Sequence, residues 1–234
     1  MKKIFFATVL FVSSILTNAI AETKIGPATL SFNAGYMSNY VFRGQEQNGG
    51  QGTAFAGVDA SLPANLYLGI WTAGVSGSSS DPINYSGSNQ EFDFYGGVSP
   101  SYGPVTLDLG YTSFKYPGTS TPETINFGEF YAGVKFQQDK SPFSIGAKIF
   151  QVDQGTKAET TEFSASYDAG FASFGAISGH TDNSAGSGAD YWTISATKEI
   201  AGLEFTLAYN DNEMTTADPN KDKSTATLQV KKTF

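Results

Sequence analysis

Cysteine is absent from this chain and histidine occurs once, which removes whole classes of chemistry at the outset. Without cysteine there is no disulfide, no thiolate metal site and no lipid anchor on an acylated Cys. A Ser–His or Cys–His nucleophile would have to rest on His180, and no serine near it sits in a Gly-x-Ser-x-Gly elbow. Basic residues are also scarce, 14 Lys and Arg against 22 Asp and Glu. That balance argues against nucleic acid, whose binding rests on neutralising phosphates. Beyond the N-terminus no apolar run approaches the roughly 20 residues of a spanning helix. Glycine and aromatic residues are abundant instead: 26 Gly, 19 Phe, 12 Tyr and 2 Trp.

The N-terminus reads as an export signal. Lys2 and Lys3 precede an apolar run from Ile4 to Leu16, and Ala19-Ile20-Ala21 supplies the small-x-small pattern of a cleavage site. Residues 1–21 are therefore expected to be a cleaved signal peptide, with residues 22–234 as the mature domain. Loss of Lys2 and Lys3 leaves 12 basic residues against 22 acidic, a formal charge of −10.

Period-two alternation dominates the mature domain. Val105, Leu107, Leu109 and Tyr111 alternate with Thr106, Asp108 and Gly110; Leu203, Phe205, Leu207 and Tyr209 alternate with Glu204, Thr206 and Ala208. Phe130, Ala132, Val134 and Phe136 alternate with Glu129, Tyr131, Gly133 and Lys135, while Phe92 and Phe94 alternate with Glu91, Asp93 and Tyr95. A carboxylate between aromatics is costly against a dry core and cheap against a wet lumen. Connections alternate as well. Short turns fall near 63–65, 102–104, 139–142, 168–170 and 201–202; longer polar loops fall near 44–51, 77–90, 116–123, 154–157, 182–190 and 211–223. Strict alternation predicts an all-β, transmembrane, antiparallel up-and-down β-barrel of about 12 strands, with both termini on the short-turn side. The tight connection near 154–157 and the polar strand near 161–167 leave ten or fourteen as the other counts. The last strand places Ala226, Leu228, Val230 and Phe234 on one face, interrupted by Lys232. An amphipathic strand ending the chain on an aromatic has the form of a membrane-insertion signal read by the barrel assembly machinery.

At Ser38-Asn39-Tyr40-Val41-Phe42-Arg43-Gly44 the chain resembles the TorF-like porins, a proteobacterial group of unknown function. Matching stretches continue in order through Tyr67-Leu-Gly69-Ile-Trp71, Glu91-Phe-Asp93-Phe-Tyr95-Gly-Gly97, Leu109-Gly-Tyr111, Tyr116-Pro-Gly118 and Glu129-Phe-Tyr131-Ala-Gly133. The likeness is dense from Ser38 to Phe136 and loose afterwards. It implies an outer-membrane barrel with a channel role and names no solute.

Parity assigns the residues that would line the pore. With Leu30, Phe32, Ala34 and Tyr36 outward, Asn33, Asn39 and Arg43 point inward, Arg43 from the outer end of the first long strand. The acids inward by the same rule are Asp59, Glu91, Asp93, Asp108, Glu129 and Glu204, with Lys135, Lys148 and Lys231 as further cations. Such a set either braces the barrel through ion pairs or selects solutes by charge. Tyr36, Phe92, Tyr111, Phe130, Trp192, Phe205, Tyr209 and Phe234 suit aromatic girdles; Tyr67, Trp71, Tyr95 and Tyr131 are better placed to stack on a sugar inside. Asp218-Pro-Asn220-Lys-Asp222 has the first acids of a calcium loop, but Lys223 stands where glycine is needed. No cofactor is implied. The expectation is a passive channel in the outer membrane for small hydrophilic solutes, touching lipid outside and no nucleic acid. A non-conducting adhesive barrel is the main alternative and a membrane-embedded enzyme the weaker one. The acid excess points to cation preference, which Arg43 and the lumen lysines could reverse locally.

Overall fold

The computed structural model describes residues 23–76, 85–154, 158–182, 188–214 and 224–234. The leader at 1–21 and the Asp218–Asp222 segment lie outside the described residues. Twelve strands form the wall: β1 Ala28–Met37, β2 Thr53–Ser61, β3 Leu66–Gly74, β4 Gln90–Val98, β5 Val105–Lys115, β6 Phe127–Phe136, β7 Phe143–Val152, β8 Glu159–Asp168, β9 Ser173–Asp182, β10 Gly188–Ile200, β11 Leu203–Met214 and β12 Ser224–Thr233. Each pairs antiparallel with its neighbours in sequence, and β12 returns to β1, so the sheet is a closed barrel. The expected count of about 12 holds, including the polar strand β8, which pairs fully with β7 and β9.

Closure is made by backbone at the chain's last residue. Gln229 to Thr233 pair with Met37 to Asn33, and Phe234 then exchanges two hydrogen bonds with Phe32, at 2.8 and 3.2 Å. Ser38 adds a second clasp above them, donating from its amide to the Leu228 carbonyl and accepting the Leu228 amide at its hydroxyl. A pleated strand sends successive side chains to opposite faces, and here the apolar set goes outward. Leu68, Leu109, Phe130, Ile145, Phe163 and Leu207 each leave half or more of their surface exposed. Asp93, Asp108, Glu129 and Lys148 are buried inside. This is the inverse of a water-soluble barrel and the pattern of one whose solvent is lipid.

Several inward aromatics lie flat across a glycine of the adjoining strand. A methyl group on Gly69 would stand 2.4 Å from the Tyr95 ring, one on Gly97 2.7 Å from the Tyr67 hydroxyl, and one on Gly110 2.3 Å from the Tyr131 hydroxyl. The absent side chain is what lets a large ring fold against the wall.

Refolded into phosphatidylcholine vesicles, Leu109→Arg is expected to lose about 2–4 kcal/mol of unfolding free energy, because Leu109 faces outward at mid-strand. Gln151→Arg, outward at the loop end of β7, is expected to lose no more than about 1 kcal/mol. Denaturant titration of the two variants checks the depth and direction of both positions.

Candidate functional site

The lumen has two unlike halves. From β2 to β7 the inward side chains include Phe55, Tyr67, Trp71, Tyr95, Phe114, Tyr131 and Phe150, all buried. They pack on one another, with Trp71 5.5 Å from Tyr40 and 6.0 Å from Phe55, ring centre to ring centre. From β8 to β12 the inward positions are mostly small and polar: Ser164, Ser166, Thr193, Ser195, Thr227 and Gln229 are only half-buried. The first half is filled by its own side chains and the second keeps a water-accessible wall.

A hairpin divides the two. After β1 the chain turns inward rather than out, and Val41–Phe42 pairs with Gln45–Glu46 inside the barrel. Arg43 and Gly44 form its two-residue turn, both with positive φ, 49° and 75°. That geometry is the mirror-image turn tight hairpins favour, and it is uncommon for an arginine. The sequence provides for the inward course. Tyr40 is almost fully buried, its hydroxyl donating to Glu91 at 2.9 Å, and its carbonyl accepts the Gln47 amide at 2.8 Å. Asn39 donates to Glu46 at 2.7 Å, and Gly49 and Gly50, also at positive φ, return the chain to β2. The tip rests on β10 and β11: a methyl on Gly44 would lie 2.7 Å from Cβ of Asn212 and 2.8 Å from Cβ of Tyr191.

Arg43 fastens the tip to β6. Its two terminal nitrogens donate to the two carboxylate oxygens of Glu129 at 2.7 and 2.9 Å. The guanidinium carbon sits 4.7 Å from the Phe42 ring centre and 4.4 Å from that of Phe150. A planar fork meeting a carboxylate between two rings uses what distinguishes arginine from lysine. Burial works against the Arg43 charge, and Glu129 outweighs it, holding the guanidinium above its ordinary value. Arg43 thus points inward as parity predicts, but for another reason: β1 ends at Met37, and Arg43 belongs to the hairpin and not to the long strand.

The other expected lumen residues also face inward, mostly as braces. Lys148 meets Asp108 at 2.6 Å, and Asp108 also accepts from the Tyr67 hydroxyl. Lys231 meets Glu204 at 2.8 Å, and Asp59 accepts from Tyr95 and, at 3.4 Å, from Asn33. Glu91 and Asp93 follow one another on the inner face of β4 and are sealed beneath the hairpin; Lys135 is buried on β6. Tyr67, Trp71, Tyr95 and Tyr131 turn inward too, yet packing and hydrogen bonding occupy them, so no ring face is left open for a sugar. His180 faces outward beside Asp190 at 2.7 Å, both exposed.

Among the inward acids not legible at the level of motif is Glu162 on β8, which accepts from the Tyr191 hydroxyl at 2.6 Å. Its strand carries little apolar signal, and only Phe163 and Tyr167, outward on the same strand, fix its parity.

Together these features define a closed twelve-stranded barrel of the porin type, narrowed by an inward hairpin. Residues 21–234 match the family model described as "Bacterial protein of unknown function (Gcw_chp)", and the chain belongs to that family. No curated protein matches it. Among solved structures it is similar to the KdgM porin, with TM-score 0.59 at 8% identity over 87% of this chain and 99% of that one. The "KdgM porin in complex with disordered oligogalacturonate" gives TM-score 0.56 at 6% identity, covering 88% and 98%. The NanC porin gives 0.56 at 7%, covering 86% and 97%. At such identities the likeness is one of fold.

Breaking the latch should leave a buried charge alone. Glu129→Gln is expected to cost the hairpin about 3–5 kcal/mol of local stability, read as faster amide exchange at Val41–Glu46 than elsewhere in the barrel. The paired Arg43→Met, Glu129→Leu variant is expected to recover most of that protection, since neither charge remains. A second prediction concerns Tyr40, Tyr85 and Tyr116 around Glu91. Burial first, and then the nearby Glu91 carboxylate, push their phenols above the ordinary tyrosine value. A raised pKa favours the neutral form in the folded state, so this stabilisation is complete below about pH 10 and fades as pH rises past it. Phenolate absorbance should appear at higher pH in the folded barrel than in the urea-unfolded chain.

Proposed function

We propose that this protein is an outer-membrane channel for passive diffusion of small hydrophilic solutes. The observation that supports this reading is the half-buried polar wall of β8–β12, which encloses a cavity together with the hairpin. A cavity of about 130 Å³ lies there, bounded by Arg43 and Glu129 on one side and by Thr193, Ser195 and Asn210 on the other. A space of that size holds several water molecules, and its walls offer the polar partners that water needs. The likeness of Ser38–Gly44 to the TorF-like porins supports the same reading, as does the fold shared with KdgM and NanC.

Export through a cleaved signal peptide at residues 1–21 completes the proposal. Leu228 and Phe234 turn outward on the closing strand, where the barrel assembly machinery would read them and where lipid would then surround them. Mechanistically, solutes would cross by diffusion, with size set by the space left around the hairpin, whose tip rests on Tyr191 and Asn212. The nine pore-lining positions expected from sequence divide under this reading: most brace the wall, and the Arg43–Glu129 pair sets the aperture.

A second reading is favoured by the latch itself: a non-conducting barrel in which the hairpin is a plug. Single-channel recording in planar bilayers separates the two. Discrete salt-dependent steps are expected from the native barrel, and a larger unitary conductance when Val41–Glu46 is replaced by a short Gly-Ser link. Silence of the native barrel with conduction only after that replacement would establish the plug.

A further inference from the structure

We propose that Glu162 is the charge filter of this passage, making it favour cations over anions; the inference rests on the channel reading above. Two cavities lie end to end inside the barrel. The upper one lies against the hairpin, and the lower one runs along β5–β10 toward the short-turn end. Their walls share Glu162, Ile177, Thr193 and Ser195, so a solute moving from one to the other passes these four side chains. Glu162 is the charged member of the four.

In the strand register Glu162 stands opposite Lys148, whose ammonium is bound to Asp108 at 2.6 Å. Among the described residues the hydrogen-bond partner of Glu162 is the Tyr191 hydroxyl, which orients the carboxylate at 2.6 Å without neutralising it. Arg43 feels Glu162 electrostatically, but its fork is already held by both oxygens of Glu129. The upper cavity therefore sets one cation, Arg43, against two carboxylates, Glu129 and Glu162. The lower cavity sets Lys135 and Lys148 against Asp108, Glu162 and Asp168, with Lys148 bound to Asp108 at 2.6 Å. Each cavity carries one more acid than base, and Glu162 is the acid common to both. Beside apolar residues such as Phe150 and Ile177, the wall carries the hydroxyls of Thr193 and Ser195 and the amide of Asn210, whose oxygens can replace part of the hydration shell of an ammonium or alkali cation. A short segment lined by one net sign sets ion preference more strongly than acids on outer loops, which act across a screening distance of about 10 Å. The solutes that fit are small hydrated cations and amino or quaternary ammonium compounds, with neutral polyols tolerated and carboxylates disfavoured.

The test is the reversal potential of the refolded mature protein across a potassium chloride gradient, compared between the native barrel and Glu162→Gln. The native barrel is expected to be cation-selective, and Glu162→Gln to lower the cation-to-anion permeability ratio about tenfold, since one unit charge acting through water at about 6 Å favours the cation about threefold and disfavours the anion about threefold. Glu204→Gln serves as control, since that acid is paired with Lys231 away from the shared segment, and should leave the ratio near its native value. A conducting native barrel whose ratio is unchanged by Glu162→Gln, or changed as much by Glu204→Gln, overturns the filter and spares the channel. A correctly folded native barrel that never conducts overturns both. A folding defect in Glu162→Gln is guarded against by Glu162→Asp, which keeps the charge and should keep the selectivity.

Discussion

A sheet surrounded by hydrocarbon cannot leave a strand edge open, because each unpaired amide or carbonyl costs several kcal/mol with no water to satisfy it. Everything else in this molecule depends on meeting that requirement at the seam between β12 and β1. The pairing there is short, and the backbone of Phe234 makes its last two bonds with Phe32. The clasp of Ser38 on Leu228 then extends the seam beyond the end of β1, which also fixes where the hairpin departs from the wall. Closure and constriction are thus joined through one residue.

Inside, the barrel solves a space problem unevenly. Twelve strands enclose more volume than their own side chains fill if spread uniformly. This chain concentrates large rings on β2–β7, laying tyrosines against glycines, and brings the hairpin in beside them. The ion pairs Arg43–Glu129 and Lys148–Asp108 sit at the border of that packed region. Neither is a surface bridge of small consequence; both are sequestered, so losing one partner strands the other.

Much of this was legible in the sequence. Alternation with acids between aromatics marked an inner face turned from lipid. The acids expected to meet water there, Glu91, Asp93, Asp108 and Glu129, are instead buried among rings and polar partners. The rhythm of short and long connections predicted the strand count and the side of the termini. Parity placed Asp59, Glu91, Asp93, Asp108, Glu129, Lys135, Lys148 and Glu204 inward, as the barrel has them. The hairpin was not legible. Ser38–Gly44 continues the look of a strand, and nothing local distinguishes an outward loop from one folded inward; the difference lies in Trp71, Glu91 and Glu129, each distant in sequence. Glu162 escaped for the opposite reason, since a strand of Thr, Ser and Ala has too weak an alternation to fix its register alone. Neighbours on both sides supply it.

The hairpin grows from β1 and is latched to β6, with its tip against β10 and β11. β6 lies four and five strands from β10 and β11, and one hairpin spans them because the sheet has curled into a tube. The constriction therefore belongs to the closed barrel as a whole, since no short run of neighbouring strands contains all of its contacts.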